Sequence, residues 1–141
     1  MIADPVAKAE HLGRARSILF YLLAAAFAGS TLLGLHRMET AERLGVWLLL
    51  AALVAINLTP LAGFLQPGTV TRLLNDETTR AHRRASLAVG CWSAALAGMI
   101  LAATASTLAL NGSQAARLIV MICLSASLVC FATLELRAAN G

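Results

Sequence analysis

Four stretches of this chain carry no charge at all. They lie between Arg16 and His36, Arg43 and Arg72, Arg84 and Arg117, and Arg117 and Glu135. Each is apolar, and each is close to the ~20 residues that a helix needs to cross a hydrocarbon core of ~30 Å. The pattern predicts an all-α, four-helix transmembrane bundle with antiparallel neighbours. It reads as a single integral membrane domain over residues 1–141, with spans at about 17–35, 45–65, 86–110 and 115–136.

Composition agrees with that frame. Charged residues make up 13% of the chain and hydrophobic residues 59%, against ~25% charged in an average soluble domain. Four spans and their connections use nearly all 141 residues, which leaves no room for a separate soluble domain. One lysine, Lys8, stands against ten arginines, a bias that points to a GC-rich bacterial genome. The opening M-I-A-D-P-V-A-K-A-E-H-L-G-R-A-R is polar and mildly basic. The apolar run after it is long for a signal-peptide core and lacks an A-x-A site with a polar mature start, so it reads as a retained first span.

The placement of the basic residues sets the expected orientation. Lys8, Arg14, Arg16, Arg72, Arg80, Arg83, Arg84 and Arg137 fall on one face, and Arg37, Arg43 and Arg117 on the other. By the positive-inside rule both termini are cytoplasmic, in a multi-pass protein of the bacterial inner (plasma) membrane. The expected partners are membrane lipids, including anionic headgroups held by the inner arginines. No nucleic-acid partner is expected, because that needs a broader basic surface.

Several local signals refine the spans. Asn57-Leu58-Thr59-Pro60 lies within span two, and the proline predicts a kink there. Gln66-Pro67-Gly68 reads as a turn. Asn75-Asp76-Glu77 reads as a helix start, with Asp76–Arg80 and Glu77–Arg80 pairs contributing roughly 0.2–0.5 kcal/mol each. Span three thus has a cytoplasmic extension from about Asp76 and enters the membrane near Ser86. Asn111-Gly112-Ser113 reads as a tight outer turn that folds spans three and four into a hairpin.

Gly90, Ala94, Gly98, Ala102 and Ser106 recur every four residues, a small-residue stripe that lets another helix approach closely. Span one has a weaker version in Ala25-x-x-x-Gly29 and Ser30-x-x-x-Gly34. Cys91 and Cys130 are expected at similar depth and could face each other, although buried cysteine is commonly a small apolar residue. His11, His36 and His82 lie outside the spans, which argues against haem. No nucleophile–base pair, carboxylate dyad, phosphate loop or metal-spaced cluster is present, so no catalytic, cofactor-binding or metal residue is expected. Ionisable residues inside spans mark transport pathways, and the spans read as having none. A proton-coupled carrier of the small multidrug resistance type is similar in size and layout. It needs a first-span glutamate, where this chain offers only Tyr21, Ser30 and Thr31. Asn57 and Thr59 are the candidate intramembrane polar site.

The string L-N-D-E-T-T-R-A-H-R-R-A-S, residues 74–86, is the most distinctive in the chain. It resembles the inner loop of small uncharacterised bacterial four-span membrane proteins, with an acidic helix start, then T-R, basic residues and an alanine-rich span. The resemblance covers roughly residues 66–100; it implies a membrane bundle and supplies no activity. Asp76, Glu77, Arg80, Arg83 and Arg84 form a candidate surface for docking a protein or lipid. The expected role is non-catalytic, an accessory or interaction subunit of an inner-membrane assembly, with a membrane-protein partner or a homo-oligomer. The alternative is a small oligomeric transporter or channel whose path would be lined by Asn57, Thr59, Ser93, Thr104 and Ser106.

Overall fold

The structure is a computed structural model that describes residues 5–35, 40–59 and 77–140, with side chains from Arg14 onward except at 77–78, 105–106 and 139–140. The described residues form five helices in the order α1 (Pro5–Gly34), α2 (Ala41–Leu58), α3 (Glu77–Ala103), α4 (Ala105–Leu108) and α5 (Gly112–Asn140). Four are long and apolar enough to cross a membrane, over Arg14–Gly34, Ala41–Leu58, Thr79–Ala103 and Gly112–Ala138.

Helix α5 is the centre of the arrangement. It packs along α3 on one side and α1 on the other, and α2 rests more lightly on α5 and α1. The contacts have a clear order. His82, Gly90 and Gly98 of α3 meet Glu135, Ser127 and Ile119 of α5 in turn. On the other side Phe20 and Tyr21 of α1 meet Phe131 and Thr133, while Leu35 meets Gln114.

The buried positions on α1 are Ser17, Phe20, Ala24, Phe27 and Thr31. Their spacing alternates three and four, the seam expected where two helices wrap with knobs in holes. Facing them, α5 buries Arg117, Met121, Leu128, Phe131 and Ala132, and α2 buries Ala51, Val54 and Leu58. Phe20 and Phe131 meet edge to face at 5.4 Å. The opposite faces are equally apolar: Ile18, Leu19, Leu22, Leu48, Leu49, Trp92, Leu96 and Met99 are all exposed. Water would penalise so much apolar surface, whereas lipid hydrocarbon does not.

Several hydroxyls inside the bundle bond to the preceding turn of their own helix. Ser86 donates to the Arg83 carbonyl and Ser127 to the Cys123 carbonyl, each at 2.9 Å. Thr133 donates to the Val129 carbonyl at 2.7 Å, which leaves its oxygen to accept from Tyr21 Oη at 2.7 Å. That bond ties α1 to α5.

Three span boundaries differ from expectation. Helix α2 ends at Leu58, and Thr59 is extended (φ −93°, ψ 158°). The residue before a proline is driven out of the helical region by the ring, which accounts for the extended Thr59, and the expected kink at Pro60 itself lies outside the described residues. The rest of the expected second span, together with the Gln66–Gly68 turn, lies outside the described residues. Helix α3 ends at Ala103 rather than running to Leu110, and the Thr104 hydroxyl and N–H both donate to the Ile100 carbonyl, at 2.8 and 3.0 Å. Ala109, left-handed at φ 44°, closes the short α4. The expected tight turn at 111–113 is instead a capping box. Gln114 N–H donates to Asn111 Oδ1 at 2.8 Å, and Asn111 N–H donates to Gln114 Oε1 at 3.1 Å.

Candidate functional site

A cleft of about 520 Å³ lies where α1 ends and α2 begins. Its lining includes Thr31, Leu33, Glu42, Arg43, Trp47 and Arg117. The cap at Asn111 starts α5 in such a way that Arg117, about one and a half turns in, is level with Trp47 of α2. The guanidinium sits 5.9 Å from the Trp47 ring centre, and the residue is only 9% exposed. A cation over an indole face is worth roughly 0.5–2 kcal/mol, more as water is excluded. Trp47 is itself fixed. Its ring stacks on Phe27 at 5.9 Å, and its Nε1–H donates to Thr31 Oγ1 at 2.9 Å. The Thr31 hydroxyl in turn donates to the Phe27 carbonyl at 2.9 Å. Gln114 Nε2–H donates to the Leu35 carbonyl at 2.9 Å and holds the end of α1 against α5.

The opposite end of the bundle gathers charge from three helices. The Arg16 guanidinium of α1 covers Phe20 at 5.4 Å and Phe131 of α5 at 5.3 Å. Arg83 of α3 is half-buried, within electrostatic reach of Arg16 and Glu135. His82 Nδ1 lies 3.4 Å from Glu135 Oε1. The α1–α5 seam is thus closed at each end by an arginine lying on aromatic rings.

The sequence-predicted residues are distributed unevenly between these places. Gly90 is buried against α5, where a Cβ would overlap Ser127 Oγ and lie 2.6 Å from the Cys123 carbonyl oxygen. Ala94 and Gly98 are half-buried, and Ala102 is exposed; the Ser106 side chain lies outside the described residues. A four-residue repeat advances about 40° per step at 3.6 residues per turn, so the stripe winds out of the α5 interface. The α1 version, Gly29 and Gly34, has nothing within 4 Å of either added Cβ.

In the docking surface, Arg80 and Arg84 are exposed. Arg83 is half-buried and within electrostatic reach of Arg16 and Glu135. Asp76 and the Glu77 side chain lie outside the described residues, and so do their pairs with Arg80. Asn57 and Thr59 bond back onto their own helix, to the Leu53 and Ile56 carbonyls, each at 2.8 Å. All three cysteines are free thiols, and Cys91 lies within electrostatic reach of Cys123. His11 and His36 cannot be placed by side chain. Among the described residues no group of three or more His, Cys, Asp or Glu gathers.

The expectation of spans without ionisable residues is overturned by Arg117. It lies inside the apolar segment Gly112–Ala138 and is buried between helices. The signal was legible: Arg117 stands alone in an otherwise uncharged run, two residues inside the predicted span at 115. Counting it as a loop charge hid it. The cleft could not be read from spacing at all, because it depends on how α1 and α2 diverge.

No protein-family model matches the chain, and neither the curated proteins nor the solved structures give a match.

Proposed function

We propose that this chain is a non-catalytic, multi-pass protein of the bacterial inner membrane, an accessory or interaction subunit that associates laterally through α3. The bundle is antiparallel in this reading, with both termini cytoplasmic, so the Arg16–Arg83–Glu135 end is inner and the Arg117 cleft outer. The order of helix contacts and the charge distribution support that orientation.

One observation carries the lateral role. Helix α3 packs chiefly on α5, and its other side presents Leu87, Trp92, Leu96, Met99 and Ile100, with Trp92 78% exposed. Cys91 lies on the same open side. Ala88, Ala95 and Ala102 are exposed among these large residues, so a second helix has both knobs and gaps to engage. The exposed Arg80 and Arg84 continue this side toward the inner surface, where a partner's acidic groups or anionic headgroups meet them.

The test is extraction from the native membrane in a mild detergent, followed by native mass spectrometry of the intact complex. A larger assembly containing other proteins supports the accessory role. A homo-oligomer alone favours the transporter or channel, and flux through Asn57→Leu proteoliposomes then decides. A bare monomer counts against both. Cys91, in a Cys123→Ser, Cys130→Ser background, offers a native crosslinking handle. The proposal expects a partner captured at this position and not from a cysteine placed at Leu53 of α2.

A further inference from the structure

At the Arg16 end of the bundle the charges do not balance. Helices α1 and α3 flank α5 without packing along each other. Arg16 of α1 lies on Phe131 of α5, and Glu135, one turn further along α5, lies beside His82 and Arg83 of α3. The two guanidiniums are thus within electrostatic reach of each other. One carboxylate faces them, and the ion pair that Glu135 makes among the described residues is with His82, at 3.4 Å. Phe20 and Phe131 meet Arg16 through its flat face, which leaves its in-plane N–H groups to other acceptors. Arg83 is half-buried, and its Nε is enclosed with no hydrogen-bond partner among the described residues. The donors through which it can meet a counter-charge are therefore its two Nη groups. Like cations drawn partly out of water and held together call for an anion between them.

The surroundings say which kind of anion. Arg80 and Arg84 of α3 and Arg137 of α5 are exposed beside the pair, so the local field is positive. The apolar faces begin at once beyond it, with Ile18, Leu19 and Leu22 exposed on α1 and Leu87 on α3. Arg16 and Arg83 therefore stand where charged helix ends give way to apolar spans, which is the level of lipid phosphates. We propose that Arg16 and Arg83 together bind the phosphate of one anionic phospholipid, whose acyl chains lie along α1 and α3. Guanidiniums from two helices offer paired N–H donors that match phosphate oxygens. A basic pocket between membrane helices is a general way to select anionic headgroups. A zwitterionic lipid brings an ammonium group that the neighbouring arginines repel, and inorganic phosphate brings nothing to cover the apolar faces. The site is complete within one chain, so it does not rest on lateral association through α3.

The full-length chain in a neutral detergent is titrated with phosphatidylglycerol or phosphatidylcholine, and bound lipids are counted by native mass spectrometry. The expected result is a first phosphatidylglycerol that saturates before any other and binds about tenfold more tightly than phosphatidylcholine, the scale of one charge-assisted hydrogen bond. Arg83→Gln and Arg16→Gln should each remove about tenfold of its affinity. Arg80→Gln, the same loss of charge one turn away on an exposed side chain, should change it by less than about twofold. Arg16→Lys keeps the charge and loses the fork, so it should fall between wild type and Arg16→Gln. Circular dichroism checks that each variant stays helical. Should either glutamine variant unfold, the wild-type preference and Arg16→Lys still decide. Equal binding of the two lipids by the wild type overturns the proposal. So does a loss in Arg80→Gln as large as in Arg83→Gln, which would mean a diffuse field, or full affinity in Arg16→Lys. Displacement of the lipid by excess inorganic phosphate, but not by chloride at equal ionic strength, would make the occupant a free anion and also overturn it.

Discussion

At Gly90 the backbones of α3 and α5 come so close that even a methyl group has no space, since the blocking atoms include the Cys123 carbonyl. Gly90→Ala should force the two helices apart and destabilise the protein by about 1–3 kcal/mol, the usual range for overpacking. Gly98 differs: its added Cβ would meet Ile119 Cδ1 at 3.8 Å, an ordinary contact. Gly98→Ala should leave stability unchanged or raise it by up to about 1 kcal/mol, the helix preference of alanine over glycine. Unfolding in a graded sodium dodecyl sulfate–mild detergent mixture measures both, and equal effects would contradict the assigned interface. Tyr21→Phe removes one interhelical hydrogen bond, that to Thr133. It should cost about 0.6 kcal/mol by the same assay, because the unfolded chain in a membrane-like medium finds other partners. The sequence marked both glycines as members of one stripe. Their inequality was not legible, because it depends on which α5 atoms stand opposite.

Helix ends carry local signals that helix faces do not. The Asn111 and Gln114 pair satisfies two otherwise free N–H groups of α5, and Asn111→Ala should cost about 1 kcal/mol. Ala109, just before it, holds a left-handed conformation that an L side chain resists by roughly 1–2 kcal/mol. Ala109→Gly should therefore stabilise the α4–α5 connection, seen as a higher melting temperature in detergent. Uncharged length, proline and Asn-x-x-Gln are local signals, so the spans and the α5 start could be approached from sequence. Faces are not local. Helices α1 and α5 are apolar all round, since lipid and bundle interior accept the same side chains. The buried seam Ser17, Phe20, Ala24, Phe27 and Thr31 contains two hydroxyl residues, while Leu19, Leu22, Leu32 and Leu33 face outward. The rule that the more hydrophobic side lies inward gives the reverse answer here.

For the whole molecule, α5 lies between α1 and α3 while α2 is only lightly held, an open arrangement with wide lateral faces. The orientation proposed from charge makes a direct prediction. In a cysteine-free background, Thr40→Cys should react with an impermeant maleimide in intact cells, and Ala138→Cys only after permeabilisation. The reverse pattern would invert the proposed topology and place the Arg117 cleft at the inner surface. What the sequence by itself determined is the number of apolar segments, their approximate limits and the asymmetry of their flanking charge. Those follow from hydrocarbon thickness and from the cost of burying charge, which act on each segment separately. Only the tertiary structure decided that Arg117 lies over Trp47 inside the bundle, that Arg83 comes within electrostatic reach of Glu135, and that Gly90 but not Gly98 is pinned against α5. Each of these depends on the rotation of one helix against another. In a membrane that rotation is set by close packing and a few polar contacts rather than by any contrast between an oily face and a wet one.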